Sequence, residues 1–297
     1  MRRVVALGFF DGVHMGHAAL LKLAVQRAKE LEAIPSAISF DVHPETLTHG
    51  KDVPLICSNE GRRSLMSRLY GIDDVILIHF NYDTMNMPWE QFLDHLVNGF
   101  GAVHFVVGYD FRFGQKGRGN VTNIGLYCRK NGLSYDVVPA VSIDGLRVSS
   151  TEIRGLLQTG RMEMANKMLG HPYELTDVVQ HGYKLGTKMG TPTVNMRIDR
   201  DMLVPRHGVY ATKVYLEDGR VYPGVTNIGV RPTVSGGNHV TVETFILDFS
   251  GDLYDSNIRV DFFHFIRPEK KFDSMDELQQ QILRDADTAR EYFIKNS

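Results

Sequence analysis

Residues 4–17 pass from an apolar run into a turn rich in glycine and histidine, Val4-Val5-Ala6-Leu7-Gly8-Phe9-Phe10-Asp11-Gly12-Val13-His14-Met15-Gly16-His17. Apolar residues then recur at helical spacing from Leu20 to Leu31. A buried strand, a glycine turn and an amphipathic helix in this order are typical of the first βα unit of a parallel sheet. Such a turn faces the crevice where α/β sheets bind ligands, with its backbone N–H groups and the positive end of the helix turned toward an anion. The stretch therefore predicts a phosphate site after the first strand.

The rest of the first half repeats this alternation of short apolar runs and amphipathic helical stretches. Parallel strands joined by crossover helices produce such a pattern. The predicted strands are Arg3 to Phe9, Ser36 to Phe40, Asp74 to Ile78, His104 to Val107 and Tyr135 to Val138.

A change of character follows residues 149–169, which read as two short helices broken at Gly160 and closed by Gly170. We place the domain boundary there, with domains at 1–171 and 172–297. The second domain reads as a small antiparallel β-barrel followed by a polar helix from about Ser274 to Phe293. Its predicted strands are Val178 to His181, Thr193 to Ile198, Val209 to Leu216, Val221 to Val225, Val240 to Leu247 and Ile258 to Phe265. The expected fold class is a Rossmann-like parallel-sheet domain followed by this barrel.

Composition limits the compartment and the partners. The 297 residues carry a formal net charge of -2, so there is no basic excess for binding nucleic acid. Two cysteines, Cys57 and Cys128, are the sparse usage expected in the cytoplasm. The apolar start imitates a signal peptide, but Asp11 ends the run and no cleavage site follows. No stretch approaches the roughly 20 apolar residues of a membrane span, so we expect neither a membrane nor a nucleic-acid partner.

His14 and His17 lie three residues apart across the start of the first helix, where both can donate hydrogen bonds to phosphate oxygens. One substrate's phosphate can then attack the other's α-phosphorus directly, without a protein nucleophile. A bare pair at this spacing is more often solvated or capping, and a metal pair is another alternative, although no third ligand stands nearby. The glycines and the position after a buried strand favour phosphate binding.

A second candidate anion site is Arg147-Val148-Ser149-Ser150-Thr151-Glu152-Ile153-Arg154. Ser149 and Glu152 have capping-box spacing, which leaves Ser150 and Thr151 on an exposed first turn between two arginines. Capping explains the serine and the glutamate, but two flanking arginines favour phosphate binding.

The loop Gly108-Tyr109-Asp110-Phe111-Arg112-Phe113-Gly114 combines aromatic rings with a carboxylate after a predicted strand. It can hold a flat ring system, or it can be an ordinary packed hairpin.

In the second domain, the turn from Gly182 through Gly186 and Gly190 can cradle phosphates through its backbone N–H groups, although an ordinary glycine-rich hairpin explains it as well. Thr193 and Asn195 alternate on one strand and so share a face, where a hydroxyl and an amide can serve Mg²⁺ and a nucleotide. Glu243 is a lone carboxylate in a predicted strand. It is either a solvated residue or, inside a barrel mouth, a general base for an attacking hydroxyl.

Residues 4 to about 170 resemble the FMN adenylyltransferase (FAD synthetase) domain of the bacterial bifunctional riboflavin biosynthesis proteins, within the HxGH nucleotidylyltransferase superfamily. The marks are Gly-Phe-Phe-Asp-Gly-Val-His-x-Gly-His at 8–17, Ser-Phe-x-x-His-Pro at 39–44, Val-Gly-x-Asp-Phe-Arg-Phe-Gly at 107–114 and Ser-Ser-Thr-x-Ile-Arg at 149–154. The resemblance implies that ATP and FMN react to FAD here. It implies the following site residues: His14 and His17 at the transferring phosphate; Gly8, Phe9, Asp11, Gly12, Arg147, Ser150, Thr151 and Arg154 at the nucleotide; and Asp110, Phe111 and Asn120 at the flavin.

The second half resembles the riboflavin kinase domain of the same proteins. It matches Pro192-Thr193-x-Asn195, the segment from Gly224 to Thr233, Val242-Glu243-Thr244 and Phe265-Ile266-Arg267-Pro268-Glu269. The resemblance implies that Thr193 and Asn195 hold Mg-ATP, that Glu243 is the general base on the riboflavin 5′-hydroxyl, and that Arg267 lies near the flavin.

The sequence thus predicts a cytoplasmic enzyme that makes FMN from riboflavin and then FAD from FMN, with ATP and Mg²⁺ for each step and small molecules as partners. A weak homo-oligomer is left open. Thr187, where the family has arginine, and Asp177, where it has glycine, motivate a rival: a monofunctional FMN adenylyltransferase whose second domain only binds flavin. A flavin-sensing protein without turnover is a second alternative.

Overall fold

The computed structural model describes residues 1–180, 193–232 and 238–296. These residues form two compact units, Met1–Ser150 and Thr151–Ser297. The predicted domain boundary at residues 171 and 172 stays a prediction.

The first unit is built on a parallel sheet of five strands in the order β3-β2-β1-β4-β5. Its strands are β1 (Arg3–Leu7), β2 (Ile34–Phe40), β3 (Asp74–Ile78), β4 (Ala102–Gly108) and β5 (Ser134–Val138). Each predicted strand of this half is present, with ends that shift by two residues or fewer. The predicted α/β class is confirmed for this half.

Helices connect these strands. They are α1 (Met15–Glu30), α2 (Pro44–His49), α3 (Asn59–Tyr70), α4 (Tyr82–Asn86), α5 (Trp89–Asp94), which continues into a π-helical turn at His95–Gly99, and α6 (Val121–Asn131). A small hairpin follows, formed by β6 (Ser142–Ile143) and β7 (Leu146–Arg147).

The strand that opens the chain is central and is covered on both faces. Val4 and Ala6 pack with Leu21 of α1 in one core cluster. Val5 and Leu7 pack with Phe92 of α5 in another. Because successive side chains of a strand point to opposite faces, an uninterrupted apolar run is what a strand buried on both sides requires. This burial positions the turn after β1 at the carboxyl edge of the sheet.

In the second unit, α7 (Ser150–Thr159) begins at the last residue of the first unit, and α8 (Met162–Leu169) follows it. The predicted break at Gly160 and stop at Gly170 are present as positive φ angles of 77° and 79°. The remaining strands form a six-stranded antiparallel sheet in the order β8-β13-β10-β11-β12-β9. They are β8 (Tyr173–Val178), β9 (Thr193–Met196), β10 (Gly208–Tyr215), β11 (Val221–Pro232), β12 (Asn238–Ile246) and β13 (Asn257–Arg267).

The two edges of this sheet approach each other where the N–H of Gln180, just after β8, donates to the carbonyl of Asn195 on β9 at 2.9 Å. A C-terminal helix (Met275–Lys295), which begins after the N-cap Ser274, covers one face. Its Ala286 and Ala289 pack on Val209 and Val225 of the sheet. The predicted barrel-like sheet and C-terminal helix are confirmed.

One strand prediction of this half was wrong. The first strand is Tyr173–Val178 rather than Val178 to His181. Tyr173 and Leu175 alternate inward and are buried, which favours a strand that starts directly after Pro172. His181 lies outside the described residues.

Candidate active sites

The turn between β1 and α1 adopts backbone conformations that most residues avoid. Phe10 has φ 59°, Gly12 has φ 74° and Val13 has φ 41°. A positive φ is rare for a β-branched residue such as Val13. Strained backbone of this kind clusters at functional sites, where surrounding contacts hold it in place.

Contacts from the segment before α3 hold this turn. The carboxylate of Asp11 is buried and accepts hydrogen bonds from the N–H groups of Ile56 at 2.8 Å and Cys57 at 3.2 Å. The N–H of Gly12 donates to Cys57 Sγ at 3.1 Å. The Asp11 carboxylate therefore stabilises the turn, and contacts of Asp11 or Gly12 with a nucleotide stay predictions.

His14 is the N-cap of α1, and its ring stacks on that of His17. Nδ1 of His14 accepts a hydrogen bond from the N–H of His17 at 3.2 Å, so a neutral His14 ring carries its proton on Nε2. The two ring centroids are 3.6 Å apart, with an interplanar angle of 11°. A Cβ on Gly16 would lie 3.1 Å from Cε1 of His14, so glycine is required for this ring position. The positions of the two histidine rings therefore depend on each other and on Gly16.

His17 is held in its neutral form. Burial lowers its pKa well below 6.5, and the nearby His14 and Arg62 lower it further. Its buried Nδ1 has no hydrogen-bond partner within the described part of the chain. A buried polar atom without a partner needs an explanation, and a ligand is one.

A cavity of about 540 Å³ opens beside the two histidines. Pockets of this size bind small molecules in other proteins. The predicted residues that line it are Gly8, Phe9, His14, His17, Asp110, Phe111, Arg147 and Ser150. Three sequence segments that lie far apart in the chain therefore meet at one site.

Within this cavity, Asp110 and Arg147 already form an ion pair. The Arg147 guanidinium also lies 5.2 Å from the centre of the Tyr109 ring. Both side chains of the ion pair are more than half exposed, so the pair contributes little stability and an anion can compete for Arg147. Ser150 Oγ donates to the carbonyl of Asp11 at 3.0 Å, which links the end of the first unit to the strained turn.

A second cavity of the first unit, of about 590 Å³, has four phenylalanine rings in its lining, Phe40, Phe80, Phe92 and Phe113. Phe40, Phe92 and Arg112 line both cavities, and Phe113 belongs to the second. The Phe111 ring stacks against Phe113 with centroids 5.5 Å apart. The predicted aromatic loop therefore borders both cavities.

Other predicted residues lie elsewhere. Asn120 is the N-cap of α6, where it forms a capping box with Asn123, and it lines neither cavity. Thr151 and Arg154 lie on the first turn of α7, Thr151 exposed and Arg154 half-buried. Their predicted roles at the flavin and the nucleotide stay predictions.

In the second unit, three polar side chains form a row across adjacent strands. In the antiparallel register, Glu243 of β12 lies opposite Asn227 of β11 on one side and Asn195 of β9 on the other. Directly paired residues of antiparallel strands share a face of the sheet. Thr193, two residues from Asn195, shares that face as predicted. The row and Thr193 together present a carboxylate, two amides and a hydroxyl on one face of the sheet.

Two members of the row, Asn227 and Glu243, line a cavity of about 310 Å³ between the sheet and the C-terminal helix, together with Thr193 and Arg267, whereas Asn195 does not line it. Glu243 is half-buried at this cavity, and its role as a general base stays a prediction. The predicted glycine turn with Gly182, Gly186 and Gly190 lies outside the described residues.

Arg267 is fixed by the C-terminal helix. Its guanidinium donates to the buried Asp285 carboxylate, from Nε at 3.0 Å and from Nη2 at 2.7 Å. Gln281 Nε2 donates to the same carboxylate at 2.9 Å. Arg267 lines the cavity, and its position near a flavin stays a prediction.

Three residues of these sites were missed at the level of sequence: Arg62, Asn227 and Asp285. Asn227 stands in the segment from Gly224 to Thr233 that matches the riboflavin kinase domain, and that match was the available sequence signal. Asp285 precedes Ala286 and Ala289 on the buried face of a polar helix, a pattern that marks an inward-facing charge only once the helix phase is known.

In the ranges that the structure describes, no helix combines the length and the apolar character needed to cross a bilayer.

Comparison with known proteins identifies both units. A family profile described as FAD synthetase matches residues 1–152, and one described as riboflavin kinase matches residues 169–293. A bifunctional riboflavin kinase/FMN adenylyltransferase from Pseudomonas fluorescens is 36% identical over 288 residues, covering 97% of this chain and 92% of the relative. The proteins of the same description from Listeria monocytogenes and Escherichia coli K12 are 32% and 34% identical, covering 99% and 98% of this chain and 94% and 92% of their own.

A crystal structure from Streptococcus pneumoniae, described as a macrolide-efflux protein, matches with a TM-score of 0.86 and 26% identity, covering 97% of this chain and 94% of that one. It supports the fold of a parallel α/β sheet followed by a curled antiparallel sheet. With two matching profiles and relatives that are similar over nearly their whole length, the chain belongs to the family of bifunctional riboflavin kinases/FMN adenylyltransferases.

Proposed function

We propose that the chain phosphorylates riboflavin to FMN in its second unit and adenylylates FMN to FAD in its first unit, with ATP as the co-substrate of both reactions. The observation that carries this proposal is that each unit has a cavity lined by the residues proposed to catalyse one of the two reactions. His14 and His17 border the cavity of about 540 Å³ in the first unit, and Glu243 borders the cavity of about 310 Å³ in the second unit. The family relationship supplies the substrates.

In the first unit, an oxygen of the FMN phosphate attacks the α-phosphorus of ATP, and the bond to the β-phosphate oxygen breaks to release pyrophosphate. No protein nucleophile is needed, so catalysis rests on alignment and on charge stabilisation. The Nε2 proton of His14 and the neutral His17 ring are placed to hydrogen-bond the transferring phosphate. Ser150, Thr151, Arg147 and Arg154 are the proposed contacts of the triphosphate.

The aromatic cavity beside the phosphate site suits the flavin ring. Phe40, Phe92 and Phe113 give it apolar walls, and Arg112 stands where the two cavities adjoin. Aromatic faces favour offset or edge contacts with a flat ring system. We therefore place the isoalloxazine against the Phe111 and Phe113 loop, with its phosphate directed to the histidines.

In the second unit, Glu243 accepts the proton of the riboflavin 5′-hydroxyl as that oxygen attacks the γ-phosphorus of ATP and ADP leaves. Asn227 and Asn195, which flank Glu243 in the row, are placed to hold the hydroxyl and the nucleotide. The Arg267 guanidinium, fixed by Asp285, closes the flavin end of this cavity.

Mg²⁺ fits the donors of this second site. The Thr193 hydroxyl and the Asn195 amide oxygen are hard oxygen ligands on one face of β9, the kind Mg²⁺ prefers. Mg²⁺ commonly takes only one or two protein ligands and completes its shell with waters and substrate phosphates. Thr193 and Asn195 would hold the ion, which supplies charge neutralisation at the phosphates when bound.

Paired variants test the division of labour. With riboflavin, ATP and Mg²⁺ supplied, and flavins separated by chromatography, wild type yields FAD. Glu243→Gln lowers FMN formation about 10²-fold or more but still converts supplied FMN to FAD. His17→Ala does the reverse and accumulates FMN. Glu291→Gln, at a 71%-exposed glutamate of the C-terminal helix, is the matched control and behaves as wild type.

Parallel loss of both activities in either folded variant contradicts the proposal. Absence of FMN formation in wild type, with FAD still made from supplied FMN, establishes the monofunctional rival instead. Asp177, which partly motivates that rival, accepts a hydrogen bond from the N–H of Arg197 at 2.8 Å and so ties β8 to the segment after β9. This structural use accounts for an aspartate there without loss of kinase activity.

We place the enzyme in the cytoplasm, where ATP is plentiful and thiols stay reduced. Cys57 and Cys128 are both buried free thiols, and burial raises the pKa of Cys128 to about 11. Cys128 is therefore an unreactive thiol. The absence of a nucleic-acid partner and a weak homo-oligomer stay predictions.

A further inference from the structure

A fully buried arginine lies behind the strained turn of the first unit. Arg62, on α3, is 0% exposed. Its Nη1 donates to the carbonyl of Phe9 at 2.5 Å and to the hydroxyl of Ser39 at 2.7 Å. Its Nη2 donates to the carbonyl of Phe40 at 2.9 Å and to Asn59 Oδ1. All four acceptors are neutral, so this charge has no ion-pair partner among the residues that the structure describes.

Burying a cation against neutral partners is costly. An apolar side chain of similar volume would avoid that cost, and a fold usually keeps such a charge where something else uses it. Burial lowers the pKa of Arg62, and the nearby Cys57, Asp11 and Asp41 offset this only in part. Among the described residues, its Nε lacks a hydrogen-bond partner. Within the described ranges, the other buried side-chain atom without a partner is Nδ1 of His17. Both orphaned nitrogens belong to the surroundings of the same cavity.

The bonds of Arg62 join the ends of two neighbouring strands. Phe9 follows β1, and Ser39 and Phe40 end β2, which pairs with β1. Ser39 Oγ also donates to the Phe9 carbonyl, at 2.8 Å. The Phe9 ring lies against the guanidinium, 4.5 Å from its centre. Since Phe9, Ser39 and Phe40 all line the cavity with the histidines, Arg62 holds one wall of that cavity from behind.

We propose that Arg62 is a positioning residue for adenylyl transfer: it clamps the carbonyls of Phe9 and Phe40, which sets the phosphate turn against His17, and its buried charge favours the bound triphosphate. This inference rests on the proposed adenylyltransferase role of the first unit. Arg62 contacts residues of the cavity wall and not the reacting atoms. It therefore acts through the position of Phe9 and through the electrostatic effect of its positive charge.

The field of Arg62 also acts on His17. Of the charged and titratable groups around this ring, His14 and Arg62 both disfavour its protonation. Without the arginine charge, His17 takes up a proton at a higher pH. The positioning of the turn and the electrostatic effect on His17 can therefore be separated by substitution. Lysine keeps the positive charge of arginine but loses its two-pronged hydrogen bonding.

Steady-state kinetics of FMN-to-FAD conversion test the proposal on the full chain. Arg62→Met removes both clamp and charge, and we expect kcat to fall about 10²-fold and the acid limb of the pH profile to move to higher pH. Arg62→Lys keeps the limb in place but raises the KM for ATP about tenfold, the effect of losing one hydrogen bond from a charged group. Riboflavin kinase activity stays at the wild-type level in both variants.

Arg63→Met is the matched control. Arg63 is the next residue of α3, is exposed, and donates to the carbonyl of Val75 at 2.7 Å, away from the cavity. Its variant keeps wild-type kinetics and the wild-type pH profile.

The inference is overturned if folded Arg62→Met keeps the wild-type kcat, KM and pH profile. If Arg62→Met does not fold, Arg62→Lys decides: an unchanged KM for ATP overturns the clamp. The inference is also overturned if the lysine and methionine variants lose activity equally and the acid limb of the pH profile does not move. Such a result indicates that Arg62 serves packing alone. A wild-type protein that makes no FAD from FMN overturns the proposed function itself, an outcome distinct from an active wild type with an indifferent Arg62.

Discussion

The Arg267 guanidinium and the Asp285 carboxylate form a two-point ion pair, with Nε 3.0 Å and Nη2 2.7 Å from the carboxylate oxygens. The pair joins the last strand of the second unit to the C-terminal helix. Asp285 is 3% exposed, and the Arg267 side chain 21%. A pair so buried fixes the arginine at the wall of the cavity and is sensitive to loss of one partner.

Asp285→Asn should therefore lower both stability and kinase activity. Removing one partner of a buried pair leaves an uncompensated charge, and we expect a loss of about 3 kcal/mol in the free energy of unfolding, the low end of the usual range because Arg267 retains some solvent contact. The KM for riboflavin rises as Arg267 loses its orientation. Urea unfolding and FMN formation measure the two effects.

Asp287→Asn is the control on the same helix. Asp287 pairs with Arg290 at 3.4 Å, but its side chain is 72% exposed, and such pairs contribute less than about 1 kcal/mol. Equal unfolding free energies for the Asp285 and Asp287 variants would show that the buried pair has no special role.

Gly16→Ala should impair adenylyl transfer without unfolding the protein. The new Cβ would lie 3.1 Å from Cε1 and 3.2 Å from Nδ1 of His14, so the His14 ring must shift away from its stack on His17. A displacement of a catalytic group of this order costs about 10²-fold in rate. We expect FAD formation from FMN to fall by that factor while FMN formation from riboflavin is unchanged.

Gly155→Ala is the matched helical control. A Cβ at Gly155 meets no atom within 4 Å, and alanine in a helix interior is favoured over glycine by about 0.5–1 kcal/mol. This variant should be slightly more stable and fully active. If Gly16→Ala behaves in the same way, the His14 ring position is not limiting.

The first unit and its histidine site follow closely from sequence because their signals are local. An uninterrupted apolar run, a glycine turn and helical periodicity are each readable within a few residues. Arg62 could not be found in this way, since an arginine in a polar helix normally indicates a solvated face. Its burial depends on Phe9 and Phe40, which lie more than 20 residues away. Asp285 in the second unit could not be found for the same reason: it is a buried charge on a polar helix, and its partner Arg267 lies on a strand.

Acid sensitivity of stability provides a test of the environment of His17. Burial and the neighbouring His14 and Arg62 hold the His17 pKa below the 6.5 of an unfolded chain. The unfolded state then binds the proton more readily, so this contribution to the free energy of unfolding is complete above about pH 6.5 and is lost as the pH falls toward the folded-state pKa. His17→Gln lacks this contribution.

The measurement is urea unfolding of wild type and His17→Gln at about pH 7.5 and about pH 5.5. Wild type should lose more stability on acidification than the variant. The His104 pKa is also lowered by burial, but it affects both proteins equally, so the difference between them isolates His17. Identical losses in the two proteins would place His17 in a solvated environment.

Metal dependence should separate the two activities. A chelator stops both reactions if Mg²⁺ accompanies ATP in each. Thr193→Val removes a hydroxyl from the cavity of the second unit and keeps a β-branched side chain at this position of β9. It should therefore raise the Mg²⁺ concentration that half-saturates FMN formation. FAD formation from supplied FMN takes place in the other cavity, so its Mg²⁺ requirement should be unchanged. Titrating Mg²⁺ against each activity in turn measures both values. The control is Thr241→Val on β12, two residues from Glu243, which removes a hydroxyl from the wall of the same cavity. A Mg²⁺ requirement that rises for both reactions, or for neither, contradicts a role of Thr193 confined to the kinase site.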